Sequence, residues 1–478
     1  MGKNKEKTKE KIKEQTKEQT NIQTNVQNQN QQRSTKSEQH EEVEINCLRL
    51  SSEGAGIGYD QGKATFVAGL LPGERGHVLV TEKKKSWQRG RLLSLEKEAD
   101  ERVEPPCRVF EGCGGCQLQH LDYAEILKWK ERWVRDALER IGKINLERVE
   151  VFPTIGMENP WRYRNKARLH QIFTGELGYY QEKSRETVEF PDCLLISETM
   201  NTWVQKIREI LKKAKLRIKS ITLRENTKGE GMIIFDGVSR SEIPDHVISS
   251  FKERLSMDSI DARMESKIRS VWGINPSGVP ELWWGQEFLT EEILGLTFKL
   301  SPLAFLQVNP FQTQKLYSTA IDWAEITKES QVWDLYCGIG TISLALAQKA
   351  NKVWGIEGNP YAISDAKINA EINHLDNVEF LQGKVEDVLL QIPVNPDVVV
   401  LDPPRAGVHS RVLKRLIEVK PERIVYVSCD LGTLARDVGV LQKEGYRVRK
   451  VQPVDMFPWT QQKFNRWICS LGRSTLRV

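Results

Sequence analysis

The 478-residue chain contains no run of eighteen or more apolar residues, so no membrane-spanning helix is expected. Its first residues, Met1-Gly-Lys-Asn-Lys-Glu-Lys, lead into no apolar core, which argues against a secretory signal. Cysteine is sparse: Cys47, Cys107, Cys113, Cys116, Cys193, Cys337, Cys429 and Cys469 are all there are. With no export signal, that scarcity points to a reducing, cytoplasmic setting. There, close-spaced cysteines indicate metal binding or catalysis rather than disulfides. Charge of one sign is also lacking. The net charge of +5 falls short of a strongly basic nucleic-acid-binding domain. No Walker lysine follows the glycine turn near residue 340, which excludes a triphosphate-cradling loop.

The length exceeds one typical core, so two to four domains are expected. Residues 1–40 are Lys/Glu/Gln/Asn/Thr-rich with few apolar positions and read as a disordered tail. Residues 41–98 change character. Val43–Leu50 alternates like a strand, Glu53-Gly-Ala-Gly-Ile-Gly58 reads as a turn, and Ala64–Ala68 and Gly76–Thr81 read as further strands. Several short strands in so short a stretch suggest a small oligonucleotide-binding type of barrel. Residues 99–300 are mixed, with helical spacing and a basic face over Tyr123–Ile141, a second helix over 200–215 and strands over Ser220–Phe235. Residues 301–478 alternate strand and helix, and the runs Pro396–Asp402 and Arg423–Ser428 have the β-branched apolar character of buried parallel strands. A doubly wound sheet follows, with ligands at its strands' carboxyl ends. Lys83–Arg91 and Trp161–Arg168 interleave basic and aromatic residues, the pattern of phosphate and base contacts.

Four motifs carry chemistry. Asp334-Leu-Tyr-Cys-Gly-Ile-Gly340 sets glycines between a strand and a helix, where a ligand can approach the backbone closely. Glu357 ends the next strand, where a carboxylate accepts hydrogen bonds from ribose hydroxyls. Together they point to an adenosine cofactor, a dinucleotide or S-adenosylmethionine. Asp402-Pro-Pro-Arg405 ends a strong strand, its prolines stiffening the turn beside the carboxylate. Arg405 stands where amino methyltransferases carry an aromatic, which disfavours that class. Cys429 follows another strand end, where a nearby helix N-terminus favours a thiolate. Finally, Cys107-x5-Cys113-Gly-Gly-Cys116 with the distant Cys193 supplies four thiolates, suited to a [4Fe–4S] cluster or tetrahedral zinc.

Residues 41–98 resemble a TRAM domain in the Gly54–Gly58 turn, the stretch Phe66-Val-Ala-Gly-Leu-Leu-Pro-Gly-Glu74 and the basic run after it. From about 41 to about 460, the chain resembles the RNA (uracil-5-)-methyltransferase family. The resemblance is carried by Cys107…Cys113-Gly-Gly-Cys116-Gln-Leu-Gln-His120, Tyr163-Arg-Asn-Lys166, Pro191-Asp-Cys193, Leu306-Gln-Val-Asn309, Asp334-Leu-Tyr-Cys-Gly338, Asp402-Pro-Pro-Arg-Ala-Gly407 and Val427-Ser-Cys429. It implies a multidomain fold: a TRAM-type, OB-like β-barrel (41–98), an α+β central domain with the cysteine cluster (99–300) and a C-terminal α/β Rossmann-like methyltransferase domain (301–478). It implies S-adenosylmethionine and a [4Fe–4S] cluster on Cys107, Cys113, Cys116 and Cys193. It also implies that Gln307, Tyr336, Glu357 and Asp402 line the cofactor and uracil site, with Cys429 as nucleophile. The implied partner is RNA, ribosomal rather than transfer, because the simpler tRNA-acting members lack barrel and cluster. No obligate protein partner is expected, and a monomer is the default.

Two departures stand out. Phe464 takes the place of the family's usual glutamate base and Gln462 that of a histidine, while Lys384 replaces an Asp or Asn near the adenine. Three explanations follow: another base, with Asp455 and Asp430 as candidates; slow release of a covalent adduct; or an altered C-terminus. The alternative function is a non-catalytic or impaired RNA-binding member of the family.

Overall fold

The computed structural model describes residues 41–171, 176–255, 267–461 and 465–473. The tail expected over 1–40, and Gln462 and Phe464, lie outside the described residues.

The N-terminal strands are β1 (Glu42–Asn46), β2 (Arg49–Leu50), β3 (Ala55–Asp60), β4 (Lys63–Ala68), β5 (Arg75–Lys83) and β6 (Trp87–Lys97). They form one sheet in the order β1-β5-β6-β4-β3-β2, curled so that Leu48 N also donates to Ile57 O at 2.9 Å. The interior is small: Ile45, Cys47, Val67, Leu70 and Val78. The glycine-rich stretch 53–58, expected as a turn, is mostly strand β3. The reason lies in crowding on its inner face. A Cβ on Gly56 would stand 2.3 Å from Leu70 O, and one on Gly58 2.4 Å from Asn46 O. Only glycine admits a strand crossing this close. The barrel docks on helix α1 (Tyr123–Arg140) through a Trp133 Nε1–Leu50 O hydrogen bond of 3.1 Å and the Arg49–Asp136 ion pair.

Helix α1 begins where Asp122 accepts from Ala124 N and Glu125 N. Its spacing reads as an apolar stripe with a basic face, but Lys130 belongs to the buried side, with Ile126, Trp129, Trp133, Val134 and Leu138. Strand β7 (Glu150–Val151) then joins the edge of the C-terminal sheet. Residues 123–151 lie within the stretch expected to form the central domain, yet they pack on the C-terminal one.

The central sheet holds β8 (Lys166–Gln171), β9 (Leu177–Tyr180), β10 (Thr187–Glu189), β11 (Ser220–Glu225), β12 (Glu230–Asp236), β13 (Lys267–Ile274) and β14 (Pro280–Gly285), in the order β10-β9-β8-β11-β12-β13-β14. Helices α2 (Glu198–Ala214) and α3 (Asp245–Leu255) cover one face, burying Leu169, Ile221, Leu223, Ile233 and Phe235. The expected basic–aromatic run 161–168 is largely internal. Trp161 stacks on Trp459 at 4.3 Å, Arg162 grips Asp192 with two hydrogen bonds, and Tyr163 is buried. The segment before β8 is held inward by its own backbone, with Arg162 N donating to Leu194 O and Arg164 N to Leu195 O at 2.8 Å each.

A hairpin of β15 (Leu289–Ile293) and β16 (Leu296–Leu300) leads through the 301–309 loop into α4 (Pro310–Ala324). The last sheet contains β17 (Gln331–Leu335), β18 (Lys352–Glu357), β19 (Val378–Gln382), β20 (Val398–Leu401), β21 (Arg423–Ser428), β22 (Tyr446–Val454) and β23 (Arg466–Arg473). Its order is β19-β18-β17-β20-β21-β23-β22-β7. Strands β17 to β21 run parallel and β23 runs antiparallel to β21. The order reverses between β17 and β20, and at such a switch point ligands enter above the carboxyl ends. Helices α5 (Thr341–Ala347), α6 (Pro360–Ile372), α7 (Ser410–Val419) and α8 (Leu431–Lys443) complete the winding.

One register match fixes the hairpin to this domain. Asp365, Asn369 and the α6 C-cap Asn373 recur every fourth residue, and their side-chain oxygens accept from Ser301 N (3.2 Å), Lys299 N (2.7 Å) and Thr297 N (2.9 Å). Four helical residues rise about 6.0 Å and two strand residues about 6.6 Å, so the two repeats stay in step. The 301–309 loop is thereby anchored at its start beside the carboxyl ends of the sheet.

Candidate active site

Four parallel strands end side by side, and each ends in a residue expected at the site. In spatial order they are Glu357 on β18, Tyr336 after β17, Asp402 after β20 and Cys429 after β21. At about 4.8 Å per strand, Glu357 and Cys429 bracket a crevice roughly 14 Å across. Glu357 is held by the backbone: its carboxylate accepts from Gly338 N at 3.2 Å and Asn359 N at 2.8 Å. Gly338 and Gly340 both take left-handed backbone angles, with φ of 57° and 83°, and a Cβ on Gly340 would press into Phe380 at 2.9 Å. The turn is therefore open to backbone approach from above and closely packed below. Tyr336 shares the left-handed region at φ 69° and its N–H donates to Ile356 O at 2.9 Å. Burial pushes its hydroxyl up to about 12, offset in part by a hydrogen bond with the His409 backbone.

Beneath the glycine turn lies Asp334. It is wholly buried, and its Oδ2 accepts from Ser343 Oγ at 2.5 Å while Oδ1 has no partner. Burial raises its pKa to about 7, against the Ser343 hydrogen bond, and the nearby Asp402 and Glu357 add to the rise. Asp402 is also raised by burial, with Arg466 pulling the other way. With its amide oxygen turned toward the guanidinium, Gln307 accepts from Arg466 Nη2 and Nε at 3.1 Å each. Buried Tyr317 on α4 adjoins both, bonded to Gln307 and Thr341, and burial and Asp402 raise its hydroxyl. Arg466 thus holds Gln307 and acts on Asp402 electrostatically, and sequence reasoning missed it. The available signal was the apolar run Trp467-Ile-Cys-Ser-Leu471, which marks a strand that returns antiparallel to β21.

Cys429 lies in the turn between β21 and α8, 9 % exposed and in none of the apolar core clusters. Asp430 caps α8, its Oδ1 accepting from Thr433 N at 2.9 Å, while Ser428 Oγ bonds Asp430 at both N and O. The sulfur is thus at a helix N-terminus on the rim of the crevice, where the helix favours a thiolate. Of the two carboxylates proposed to replace the glutamate base, Asp455 is committed elsewhere. It is fully buried, paired with Lys130 and hydrogen-bonded by Tyr123 Oη at 2.8 Å. Exposed Lys384 stands at the neighbouring turn, where Gly383 N donates to Glu357 O at 3.0 Å.

The four clustered cysteines also converge. Cys107, Cys113, Cys116 and Cys193 line one cavity beside Arg164 and Tyr179. The Arg162–Asp192 clamp and an Asn201 Oδ1 contact to Cys193 N, at 2.9 Å, bring the distant fourth thiol in. Gly114 makes the wrap feasible: its N–H donates to Tyr180 O at 2.9 Å, and a Cβ there would stand 2.8 Å from Glu182 N. Burial raises Cys107, Cys113 and Cys116, the last to about 12. Among the described residues, no three His, Cys, Asp or Glu side chains stand close enough to hold a single metal ion. A four-iron cluster spaces its thiolates more widely than one ion does. The buried Tyr179 hydroxyl and Arg164 Nε, both without partners, also line the cavity.

A doubly wound sheet with this glycine turn and acidic strand end defines an enzyme class that takes an adenosine cofactor. The chain belongs to the tRNA (Uracil-5-)-methyltransferase family, matched over residues 123–464, and carries a TRAM domain, matched over 36–93. An uncharacterized RNA methyltransferase of Listeria innocua is 41% identical over 442 residues, covering 88% of this chain and 96% of the relative. One from Halalkalibacterium halodurans is 40% identical over 446 residues, covering 87% and 94%. Among solved structures, the Pyrococcus abyssi tRNA (uracil-54, C5)-methyltransferase in complex with S-adenosyl-L-homocysteine superposes with a TM-score of 0.70 at 26% identity, covering 90% of this chain and 100% of that one. The family settles the cofactor as S-adenosylmethionine, the activity as RNA uracil-5 methylation and the partner as RNA. No helix among the described residues is long and apolar enough to cross a membrane.

Proposed function

We propose that this chain methylates carbon 5 of a uracil in RNA through a covalent adduct on Cys429, with 23S ribosomal RNA as target. The reading is carried by one observation: Cys429 and Asp402 end adjacent strands on the rim that also holds the glycine turn and Glu357. Glu357 takes the ribose hydroxyls, and Tyr336 closes the wall beside it. Asp402 and Gln307, the latter held by Arg466, orient the pyrimidine. The target leaves its stack at a cost of a few kcal/mol, supplied by grip on the surrounding loop. The Cys429 thiolate adds to carbon 6, breaking the 5,6 double bond and placing the electron pair in an enolate. Bound S-adenosylmethionine supplies the methyl group to carbon 5. A base then takes the carbon 5 proton, the double bond re-forms and the sulfur leaves. Asp430, next to the nucleophile, is the base that remains once Asp455 is assigned to Lys130.

The four-cysteine cavity is proposed to hold a [4Fe–4S] cluster that shapes the RNA-facing surface. Anaerobically purified protein is expected to carry about four irons, lost in Cys193→Ser; stoichiometric zinc would overturn this. A second reading, tRNA as target, is favoured by the Pyrococcus abyssi enzyme, which spans barrel and catalytic domain together and acts on tRNA. Mass spectrometry of bulk rRNA and tRNA from cells with and without the gene separates the two. Loss of 5-methyluridine from neither would overturn the function.

The buried acids make a pH prediction. A sulfonium is cationic, and Asp334, raised to about 7, must be ionised to offset it. Cofactor affinity by calorimetry is expected to rise several-fold from pH 6 to pH 8, and Asp334→Asn to flatten the profile. A wild-type affinity independent of pH would contradict this. The sign for the unliganded fold is opposite. A raised carboxylate pKa favours the folded state at low pH, and that contribution is lost as pH rises through about 7.

A further inference from the structure

Part of the central sheet's second face reaches solvent. On β12 and β13 that face is occupied, because Met232, Ile234 and Trp272 pack against the β15–β16 hairpin. On β11 and the start of β8 the 301–304 loop closes over it and buries Arg224, while Arg168 on β8 and Tyr180 on β9 stay open. Strand alternation sends Ala167, Leu169, Ile221 and Leu223 to the helix-covered core. Lys166, Arg168 and His170 therefore share the opposite face with Ser220 and Arg224. His170 stacks on Tyr180 of β9 with ring centroids 3.8 Å apart and planes 16° apart, and Tyr180 is 38% exposed.

Lys166 is the unusual residue. It is largely enclosed, and no described carboxylate pairs with it, although the neighbouring Arg168 does pair with Asp236. Its charged neighbours are Arg224 and Arg168, and burial together with these cations lowers its pKa to about 8. An enclosed ammonium beside two guanidinium groups is costly unless an anion completes it. The place is also telling. Asn165 N donates to Val308 O at 2.9 Å, and Arg224 donates to Ser301 O and to Ala304 O at 2.6 Å. Lys166 therefore adjoins the loop that carries Gln307 and the 60% exposed Phe305.

We propose that the solvent-facing part of this surface, from Tyr180 on β9 across Arg168 to the enclosed Lys166 on β8, is a track for a single-stranded segment of the RNA substrate. Lys166 and Arg168 hold phosphates next to the extruded nucleotide, and the His170–Tyr180 pair stacks an unpaired base. Charge and continuity support this occupant. Exposed Lys219 adds to Lys166 and Arg168, outweighing Asp236, and the face runs directly into the catalytic rim. Aromatic platforms beside a basic groove suit single strands rather than duplexes. The inference rests on the RNA reading above and deepens it.

The test uses full-length protein and a fluorescein-labelled 12-mer of oligouridylate, with a duplex RNA of equal length as control. Lys166→Met is expected to weaken 12-mer binding about tenfold at moderate salt. It should also lower the slope of log affinity against log salt by about 0.7, the value of one single-strand phosphate contact. Tyr180→Ala should weaken binding severalfold with the slope unchanged. Lys166→Arg should restore most of the affinity, and S-adenosylmethionine binding should not change in any variant, which excludes general misfolding. Unchanged affinity and slope in Lys166→Met, with the wild type binding normally, would overturn the track alone. A wild type that binds neither RNA would overturn the track and the RNA reading together.

Discussion

Replacing Cys429 by alanine is expected to abolish methyl transfer, by a factor on the order of 10⁵ or more, while cofactor affinity stays within about threefold. The size follows from the chemistry. Carbon 5 of uracil is a poor nucleophile until a thiolate at carbon 6 turns the ring into an enolate, and no other sulfur stands on this rim. Cys337 belongs to the neighbouring glycine turn, but it is buried and its pKa is raised far above the ordinary thiol value by burial, with Asp334 and Glu357 adding to the rise. Removing a nucleophile typically costs 10⁴ to about 10⁶ in turnover. Cofactor binding is spared because the glycine turn and Glu357 lie about two and three strand spacings away. Two measurements check this. Tritium release from RNA labelled at uracil carbon 5 should require both S-adenosylmethionine and Cys429. RNA containing 5-fluorouridine should trap the wild type as a stable adduct, since no base can remove fluorine as it removes a proton, and should leave Cys429→Ala untrapped. Release by Cys429→Ala at wild-type rate would refute the covalent route. Absence of both release and trapping in a wild type that binds cofactor would favour the alternative of a non-catalytic RNA-binding protein.

That Glu357, Asp402 and Cys429 share one rim was legible, because they sit where periodicity changes. Apolar β-branched runs ending in Glu357, Asp402 and Cys429 identify strand ends, and strand ends in a parallel sheet share one side. The partners of those residues were not legible. Arg466 reaches Gln307 and Asp402 only because β23 comes back antiparallel to β21, pairing Trp467 with Ser428. The apolar run Trp467–Leu471 next to it marks a strand but not which neighbour that strand pairs with. The 53–58 stretch misled for a related reason. Glycines signal turns by backbone freedom, but Gly56 and Gly58 serve close approach between strands, and local sequence does not separate the two uses. The run 161–168 shows the limit of reading charge from composition: Arg162 and Arg164 turn inward to Asp192 and the cysteine cavity, whereas Lys166 and Arg168 turn outward. Residue type gave the charge, and the loop contacts ahead of β8 decided what Arg162 and Arg164 face.

Lys130 makes the strongest stability prediction. On α1 it stands four residues from both Ile126 and Val134, on the buried stripe, and it is 1% exposed and donates to Asp455, to Phe457 O at 3.2 Å and to the Asn465 side chain at 3.3 Å. Burial lowers its pKa, with the Asp455 carboxylate opposing the drop. The pair joins α1 to the segment after β22, which in turn contacts the catalytic loop: Asn309 Nδ2 donates to Met456 O at 3.1 Å and Gln312 Nε2 to Asp455 O at 3.0 Å. Removing one partner strands the other charge in the interior, at about 3–5 kcal/mol. Lys130→Met is therefore expected to lower the melting temperature by roughly 10 °C at a few degrees per kcal/mol. Asp455→Asn should do the same, and the double variant Lys130→Met with Asp455→Leu should recover most of the loss, because a well-packed apolar pair replaces a buried ion pair at little cost. The same series separates structure from catalysis. A base at Asp455 predicts that Asp455→Asn melts normally and accumulates the covalent RNA adduct. A structural ion pair predicts a lowered melting temperature in both single variants, with the surviving folded fraction turning over at the wild-type rate.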